Sequence, residues 1–256
     1  MVTSNLIGGL GNYLFQIASV YSLALDNNDE IIFNINESLT VHQPLKNYTN
    51  NILSKIKFID YSLNIENNYY EQFFDYQKIP YKTNQKIHGY FQSEKYFIHN
   101  RQQILNLYDI DEESKKEIDK KYGEILVGNT CSLHVRRGDY LKYPNHHPTC
   151  TLEYYNNSIK EFSKDTKFLI FSDDINWCKE VFTNENFIFI EGNGDYIDLW
   201  LMSLCKNNII ANSSFSWWGA WLNQNQNKKV ISPNKWFGSS IPHNTKDLIP
   251  TSWMKI

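Results

Sequence analysis

The chain has 256 residues, a formal net charge of −3 and an aromatic content of 15%. This length allows one large domain or two domains of about 100–150 residues, and it suffices to bury a sizeable core. The near-neutral charge argues against a surface made for nucleic acid, and the aromatic content argues against a disordered chain.

The first 35 residues are typical of the start of an α/β fold. An apolar strand is predicted at 2–7, and it runs into the glycine-rich turn Gly8–Gly11. Apolar residues then recur at spacings of three and four, which predicts a helix, and a second strand is expected at 30–35. The polar stretch 36–100 shows little periodicity apart from a short strand expected at 86–91.

A regular alternation of strands and helices is predicted from residue 130 onward, after a charge-dense helix at 112–122. The alternation implies a parallel sheet with helices on its faces, and ligands of such sheets bind at the carboxyl ends of the strands. The expected strands are 130–135, 167–172, 187–190, 207–211 and 229–232, and the expected helices are 151–163, 174–182, 195–205 and 214–223.

The turn Gly8–Gly11 is the first candidate binding element. Glycines there let the backbone turn tightly and approach a ligand, and the start of the following helix favours an anion. The turn lacks the third glycine of a dinucleotide-binding fingerprint and the lysine of a P-loop. Taken alone, the pattern is weak and favours a plain tight turn over a binding site.

The second candidate follows strand 130–135 and contains Arg136, Arg137 and Asp139. Two arginines at a strand end are costly to hold against a packed sheet unless they meet anions. Guanidinium groups bind phosphate through paired, charge-assisted hydrogen bonds. Asp139 can orient one guanidinium or accept a proton. The alternative is a surface Arg–Asp pair worth about 0–1 kcal/mol, but the position favours an anion site.

Two further candidates follow later strands. Asp173 and Asp174 can accept hydrogen bonds from a ribose or a base, or can cap the next helix. No further ligands accompany them, so a metal site is not supported. Ser213 and Ser214, at the start of helix 214–223, are expected both to cap the helix and to bind, while the tryptophans of that helix pack inward.

Neither a transmembrane helix nor a secretory signal is predicted. No run of about 18 apolar residues is present, and the start of the sequence lacks a basic region. The four cysteines have no CxxC spacing, which is typical of reduced thiols in a cytosolic protein. We therefore expect a cytoplasmic location, with peripheral contact to a membrane left open.

Together these segments resemble the α-1,2-fucosyltransferase family, glycosyltransferase family 11. The His-x-Arg-Arg-x-Asp and Ser-Phe-Ser-Trp-Trp-Gly-Ala-Trp-Leu motifs are specific, and the segments occur in the family's order. One departure is Tyr13, where the family usually has Gln or Met, and we expect this residue beside the donor cleft. The matching stretches are Gly8–Gln16, His134–Tyr140, Phe171–Asp174 with Trp177, Asp198–Cys205 and Ile210–Leu222.

The resemblance implies an α/β fold of GT-B type, with two Rossmann-like halves facing a cleft and a parallel sheet in each. We expect an N-terminal half at 1–125 on the acceptor side and a GDP-sugar-binding half at 126–256. The implied reaction is an inverting transfer of L-fucose from GDP-β-L-fucose to the 2-hydroxyl of galactose or a similar sugar, forming an α-1,2 linkage. The resemblance implies no metal and no other cofactor.

The resemblance also assigns roles to single residues. Arg136 and Arg137 are expected to hold the pyrophosphate, and Asn12, beside Gly11, to reach the β-phosphate from the other half. The residues expected around the rest of the nucleotide are His134, Asp173, Ser213, Ser214 and Phe215.

Several alternatives stay open from the sequence. Asp139 is the nearest carboxylate for a catalytic base, but early departure of GDP would make a protein base dispensable. The rival functions are a metal-dependent GT-A transferase, a GT-B enzyme of another linkage or GDP-sugar, and a non-catalytic sugar-nucleotide or carbohydrate-binding protein. Intact Arg136, Arg137 and Asn12 argue against the last. Acceptor choice is expected within 36–125.

Overall fold

The computed structural model describes residues 1–38 and 44–256, and it contains two compact units. The first unit comprises Met1–Asp111 and His243–Pro250, and the second comprises Glu112–Pro242 and Thr251–Ile256. Residues 39–43, which belong to the weakly patterned stretch 36–100, lie outside the described residues. The first unit thus ends before the charge-dense helix that the sequence predicts at 112–122.

The first unit is built on short parallel strands. Strand β1 is at the end of a three-stranded sheet of order β1–β5–β4, β2 pairs with β3, and Val2 of β1 forms a separate parallel bridge with Ile31. The elements are β1 Val2–Ser4, α1 Leu10–Asp26, β2 Phe33–Asn34, β3 Phe58–Ile59, β4 Asn67–Tyr70, β5 Gln85–His88 and α2 Arg101–Leu107.

The first strand is shorter than the predicted 2–7 because a helix side chain replaces a sheet neighbour. The backbone N–H of Ile7 donates to Gln16 Oε1 at 3.0 Å, and Gln16 Nε2 donates back to the Ile7 carbonyl at 3.3 Å. The predicted strand 30–35 is also shortened. Asn34 accepts the Asn36 N–H at 2.9 Å, and this bond starts a 3₁₀ turn that ends the strand.

The second unit confirms the predicted alternation of strands and helices. Its six strands are all parallel, in the order β11–β10–β9–β6–β7–β8. The sequence did not predict β11, nor β3, β4 and α2 in the first unit. The elements are α3 Glu112–Val127, β6 Thr130–Val135, α4 Leu152–Lys160, β7 Lys167–Ser172, α5 Ile175–Val181, β8 Phe187–Phe189, α6 Asp195–Leu204, β9 Asn207–Ile209, α7 Ser214–Leu222, β10 Val230–Ser232 and β11 Met254–Lys255.

The order of the strands places a topological switch point beside β6. From β6 the chain runs outward through β7 and β8, and it then returns to place β9 on the other side of β6. In open parallel sheets a crevice forms at the carboxyl ends of the two strands on either side of such a reversal. The segments that leave β6 and β9 are therefore the natural ligand-binding elements of this unit.

The core of the second unit holds its central strand rigidly. Every residue of β6 is buried, and Trp217, Trp218 and Trp221 of α7 are at most 2% exposed, which confirms that these tryptophans pack inward. At Gly219 a Cβ atom would lie 2.8 Å from Met202 Cβ, so a glycine is needed for the close approach of α6 and α7.

The four cysteines form no disulfide. Burial raises the pKa of Cys150 and Cys178 to about 11, so both are protonated thiols at neutral pH. Among the helices within 1–38 and 44–256, none has the length and apolar character needed to cross a membrane.

Candidate active site

The two arginines that follow β6 are each held by carboxylates. Arg136 Nη2 lies 2.6 Å from Asp139 Oδ1, and its Nη1 lies 3.2 Å from Asp173 Oδ2. Arg137 Nε donates to Asp174 Oδ2 at 3.0 Å, and its backbone N–H donates to Asp173 Oδ1 at 2.9 Å. The segments after β6 and β7 are thus locked together by charge-assisted hydrogen bonds.

An aromatic ring lies against each of the two guanidinium groups. The Arg137 Cζ lies 3.9 Å from the ring centroid of Trp177, and the Arg136 Cζ lies 5.4 Å from that of Tyr140. The Tyr140 hydroxyl donates to the Asn212 carbonyl at 3.0 Å, which connects the segment after β6 to the one after β9. Carboxylates and rings together limit the rotamers that either arginine can adopt.

Gly138 is required because the segments that follow β6 and β7 approach each other closely. A Cβ atom on this residue would lie 2.4 Å from Asp173 Oδ2, well inside van der Waals contact. Any side chain at this position would therefore displace the carboxylate that joins Arg136 to Arg137.

Asp174 serves two purposes in this arrangement. Its Oδ1 accepts the Trp177 N–H at 3.4 Å and so caps α5, while its Oδ2 accepts from Arg137. The sequence left open whether these aspartates cap the helix or bind a ligand. In the structure Asp174 caps the helix, and Asp173 lies between the two arginines.

The arginine pair remains able to take an anion. A guanidinium carries five N–H donors, more than the carboxylate contacts of either arginine use. The Arg136 and Arg137 side chains are 31% and 19% exposed. Half-buried, pre-oriented and partly solvent-accessible guanidinium groups are suited to phosphate.

His134, near the end of β6, is a buried neutral imidazole. Burial, together with the positive charge of Arg136, lowers its pKa to about 3. Its ring centroid lies 5.6 Å from that of Phe215. Within the part of the chain that the structure describes, the buried Nδ1 has no hydrogen-bond partner. A buried polar atom without a partner is costly, so a ligand group is a natural partner here.

The segment after β9 is held by a buried amide. Asn212 Nδ2 donates to the carbonyls of Pro148 and Trp236, both at 2.9 Å. Ser213 occupies the N-cap position of α7, but its hydroxyl forms no capping bond within the described residues, which corrects the expectation that it caps the helix. Ser214 and Phe215 are half-buried at the first turn of α7.

The glycine turn of the first unit is followed by the uncharged amide of Asn12, whereas the segment after β6 carries charged arginines. Gly8 has φ = +90°, and a Cβ atom there would lie 2.2 Å from Asn12 Nδ2. Asn12 Oδ1 accepts from Gln92 Nε2 at 2.8 Å. Gly11 is buried in the first turn of α1. The turn therefore holds the Asn12 amide tightly against the backbone of Gly8.

Tyr13, which the sequence analysis expects beside the donor cleft, lies in the core of the first unit. It is fully buried, its ring packs edge-on against Tyr48 at 6.2 Å, and its hydroxyl lies 3.2 Å from Ser38 Oγ. The residue after Asn12 therefore points inward, toward Tyr48 and Ser38.

The sequence analysis identified most candidate site residues of the second unit, but it missed a hydrogen-bond partner in the first unit. Arg136, Arg137, Asp139 and Asp173 form one connected cluster, as their positions at adjacent strand ends predict. Gln92 was missed, although it directly follows the strand expected at 86–91, and strand ends carry the functional residues of this fold class. Over 1–38 and 44–256, no group of three or more His, Cys, Asp or Glu side chains is arranged to hold a metal ion.

Comparison with known sequences gives one family. The family model described as "Glycosyl transferase family 11" matches residues 1–256. The chain is 33% identical to an alpha-1,2-colitosyltransferase of Escherichia coli, covering 100% of this chain and 99% of the relative. It is 31% identical to the O-antigen biosynthesis glycosyltransferase WbnK of the same species, covering 99% of each. Human galactoside alpha-(1,2)-fucosyltransferase 1 is 24% identical, covering 54% of this chain and 42% of the relative.

Solved structures show the fold. NodZ alpha-1,6-fucosyltransferase soaked with GDP-fucose superposes with a TM-score of 0.58 at 15% identity, covering 86% of this chain and 92% of that one. POFUT1 in complex with GDP-fucose superposes with a TM-score of 0.51 at 10% identity, covering 89% and 94%. The expected α/β class of GT-B type is confirmed.

Proposed function

Because the chain belongs to glycosyl transferase family 11, we propose that it transfers L-fucose from GDP-β-L-fucose to the 2-hydroxyl of a galactose or similar acceptor. The proposed product is an α-1,2 linkage formed with inversion. The observation that carries the proposal is the guanidinium pair Arg136–Arg137 at the switch point of β6, in a chain that the family matches over its full length. Two of its relatives have names that specify α-1,2 transfer.

Arg136 and Arg137 bind the pyrophosphate of the donor in this proposal. Both have donors left after pairing with Asp139, Asp173 and Asp174, and both are held in place before any ligand arrives. A pre-oriented guanidinium loses little conformational freedom on binding phosphate, so more of the interaction energy appears as affinity.

The ring pair of buried His134 and half-buried Phe215 contacts the guanosine, together with Asp173 and the start of α7. The partnerless Nδ1 of His134 supports this, because a neutral imidazole offers a hydrogen bond to a base or ribose without placing a charge in the core. Ser213 and Ser214 lie at the α7 N-terminus, where the helix dipole favours a negatively charged group. Asn12, next to Gly11, is in this proposal a further donor to the β-phosphate.

The reaction is a single displacement at the anomeric carbon of fucose. The acceptor oxygen attacks from the face opposite the leaving group, its bond to carbon forms as the bond to the β-phosphate oxygen breaks, and the acceptor proton is lost. Negative charge grows on the departing GDP. Guanidinium groups already aimed at that charge stabilise the transition state more than the ground state, and this difference is what accelerates the reaction.

Asp139 orients Arg136 in this mechanism and is not assigned the proton transfer. Its Oδ1 lies 2.6 Å from Arg136 Nη2, so this oxygen is already occupied by the guanidinium group. Because bond breaking to GDP runs ahead of bond formation in the transition state, the acceptor hydroxyl becomes strongly acidic only as its oxygen bonds to the anomeric carbon, and its proton then passes to water or to the departing phosphate.

A GDP-linked 3-deoxy sugar is the second candidate donor. The relative that shares 33% identity over 99% of its length is named a colitosyltransferase, and colitose is L-fucose without the 3-hydroxyl. A site that donates a hydrogen bond to that hydroxyl would discriminate strongly against colitose, whereas an apolar contact there would accept both sugars.

Transfer assays with a panel of GDP-sugars decide between these donors. The chain is incubated with GDP-fucose, GDP-colitose or GDP-mannose and with lactose as acceptor, and the linkage of each product is determined by NMR. An α-1,2-fucosylated product, formed equally in the presence of EDTA, is the expected result. Another linkage, exclusive use of GDP-colitose, or loss of activity in EDTA would each contradict the proposal.

A further inference from the structure

An exposed face of the first unit carries rings and hydrogen-bonding groups in register. On β4, Asn68 and Tyr70 point to the solvent side, and the residues paired with them on β5 are Lys86 and His88. Successive residues of a strand alternate between faces, so these four side chains lie on one face of the sheet. The opposite face is packed, since Ile87 is fully buried.

The rings of Tyr70 and His88 form a flat, stacked pair. Their centroids are 4.5 Å apart and their planes are inclined by only 11°. Tyr70 is 62% exposed, so the ring face turned away from His88 is open to solvent. Burial and the charge of Lys86 lower the pKa of His88, which keeps the imidazole neutral at pH 7.

Polar groups surround this ring pair. The carbonyl oxygen Asn68 Oδ1 lies 2.9 Å from His88 Nε2. Lys86 forms an ion pair with Glu37 on the same face. The surroundings thus combine amide, ammonium and carboxylate groups with no net charge, which suits a neutral, hydroxyl-rich ligand better than an anion or a lipid.

The loop after His88 ties this face to the Asn12 turn. Glu71 accepts the backbone N–H groups of Tyr90 at 2.7 Å and Phe91 at 3.1 Å. Phe91 has φ = +52°, a conformation that a bulky residue adopts only when its surroundings impose it. The next residue, Gln92, donates to Asn12. The ring pair and Asn12 therefore belong to one braced strand-end region.

We propose that this face, the Tyr70–His88 platform of Asn68, Tyr70, Lys86, His88 and Glu37, binds the terminal galactose of the acceptor glycan. The inference rests on the proposed function and extends it by naming the acceptor subsite. The axial 4-hydroxyl of galactose leaves one face of the sugar lined with C–H groups, which packs on the open face of Tyr70. Its hydroxyls hydrogen-bond to Asn68 and to the Lys86–Glu37 pair.

Binding is tested without turnover by saturation-transfer NMR. The probes are lactose, N-acetyllactosamine and methyl β-galactoside, each added to the full chain in the presence of GDP. We expect saturation of the galactose C–H protons in wild type and in Tyr70→Phe, which retains the ring, and at least a tenfold weaker affinity in Tyr70→Ala. Thermal melting checks that each variant is folded.

The control is Ile98→Ala, which removes an exposed apolar side chain elsewhere on the same unit. Its neighbour His99 contacts Asp26 at the end of α1, and that end of α1 lies next to the start of β1, where Asp29 pairs with the Met1 amino group. Ile98 is thus on the side of the sheet where the strands begin, away from Asn12. Ile98→Ala should bind galactosides like wild type.

Kinetics separate this inference from the proposed function. If the chain transfers fucose, Tyr70→Ala should raise the KM for lactose about tenfold and leave the KM for GDP-fucose within about twofold. Transfer with an unchanged lactose KM would overturn the platform but leave the function standing. Galactoside binding that depends on Tyr70, without any fucose transfer, would overturn the function but support the platform. Absence of galactoside binding in wild type would overturn the platform.

Discussion

In both units the segment that follows a parallel strand carries candidate binding residues, but their chemistry differs. In the second unit, the segment that leaves the central strand β6 carries two arginines, paired with three carboxylates from the β6 and β7 exits. In the first unit, the segment that leaves β1 carries Asn12, whose partner is the amide of Gln92. One strand-end region is charged, and the other is neutral and bordered by aromatic rings.

The difference follows from what each environment can hold. Half-buried guanidinium groups are tolerated because carboxylates pair with them, and the N–H donors that those pairs leave unused can bind a phosphate. Stacked rings have no charge to neutralise and recognise C–H faces by geometry, and an uncharged amide such as that of Asn12 can donate to a hydroxyl or to a phosphate oxygen. A diphosphate fits the second unit on these grounds, and a neutral sugar fits the first.

The largest expected effect is on the charged region. Arg137→Ala should lower the transfer rate by about 10²–10³, because it removes a fixed donor to the charge that grows on GDP. Arg137→Lys keeps the charge but loses the Nε bond to Asp174 and the packing on Trp177. Its transfer rate should therefore lie between those of wild type and Arg137→Ala. Initial rates with GDP-fucose, together with circular dichroism of each variant, make the measurement. Normal turnover by folded Arg137→Ala would refute the assignment.

The next largest effect tests the neutral turn. Gly8→Ala places a side chain at φ = +90° and 2.2 Å from Asn12 Nδ2. We expect the free energy of unfolding, measured in urea, to fall by about 1–2 kcal/mol or more. Activity should also fall, because Asn12 must move. Gly192→Ala is the matched control, since Gly192 has φ = +79° but open space around it. Equal destabilisation by both would show that only backbone conformation matters at Gly8.

A smaller effect is expected at Asp139. Asp139→Asn keeps an oxygen that can accept from Arg136, so an orienting role predicts a loss of less than about tenfold and an unchanged pH profile. General-base catalysis contributes about 10²–10⁴, so a loss of that size, with the acidic limb of the pH profile removed, would identify Asp139 as the base instead.

The smallest expected effect is the pH dependence of the free energy of unfolding that one buried carboxyl group contributes in each unit. Burial raises the pKa of Glu71 and of Asp198 to about 6, from ordinary values of 4.5 and 3.8. The folded state then binds more protons than the unfolded state in this window, so the free energy of unfolding falls as pH rises from about 4 to about 6. Carbon-detected NMR titration should give midpoints near 6. Glu71→Gln and Asp198→Asn should each flatten the dependence, and midpoints near 4 would contradict both assignments.

The sequence was most informative where the chain is most regular. Strands 130–135 and 167–172 were predicted to the residue, because long apolar segments between glycine-, serine- and aspartate-rich turns leave little choice of structure. The cluster of Arg136, Arg137 and Asp173 followed from the rule that parallel strands end on one side of their sheet. In the first unit, the sequence located β1, β2 and β5 with inexact bounds and missed β3 and β4, because strands of two to four residues carry little periodicity.

Local composition determined the α/β class, the motif positions and the family resemblance. Only the tertiary structure decided which carboxylate meets which arginine, that Tyr13 faces the core, and that Gln92 supports Asn12 from 80 residues away. These choices depend on contacts between segments distant in the chain, where packing and hydrogen-bond satisfaction select one arrangement. A pattern within a short window of sequence carries no record of that selection.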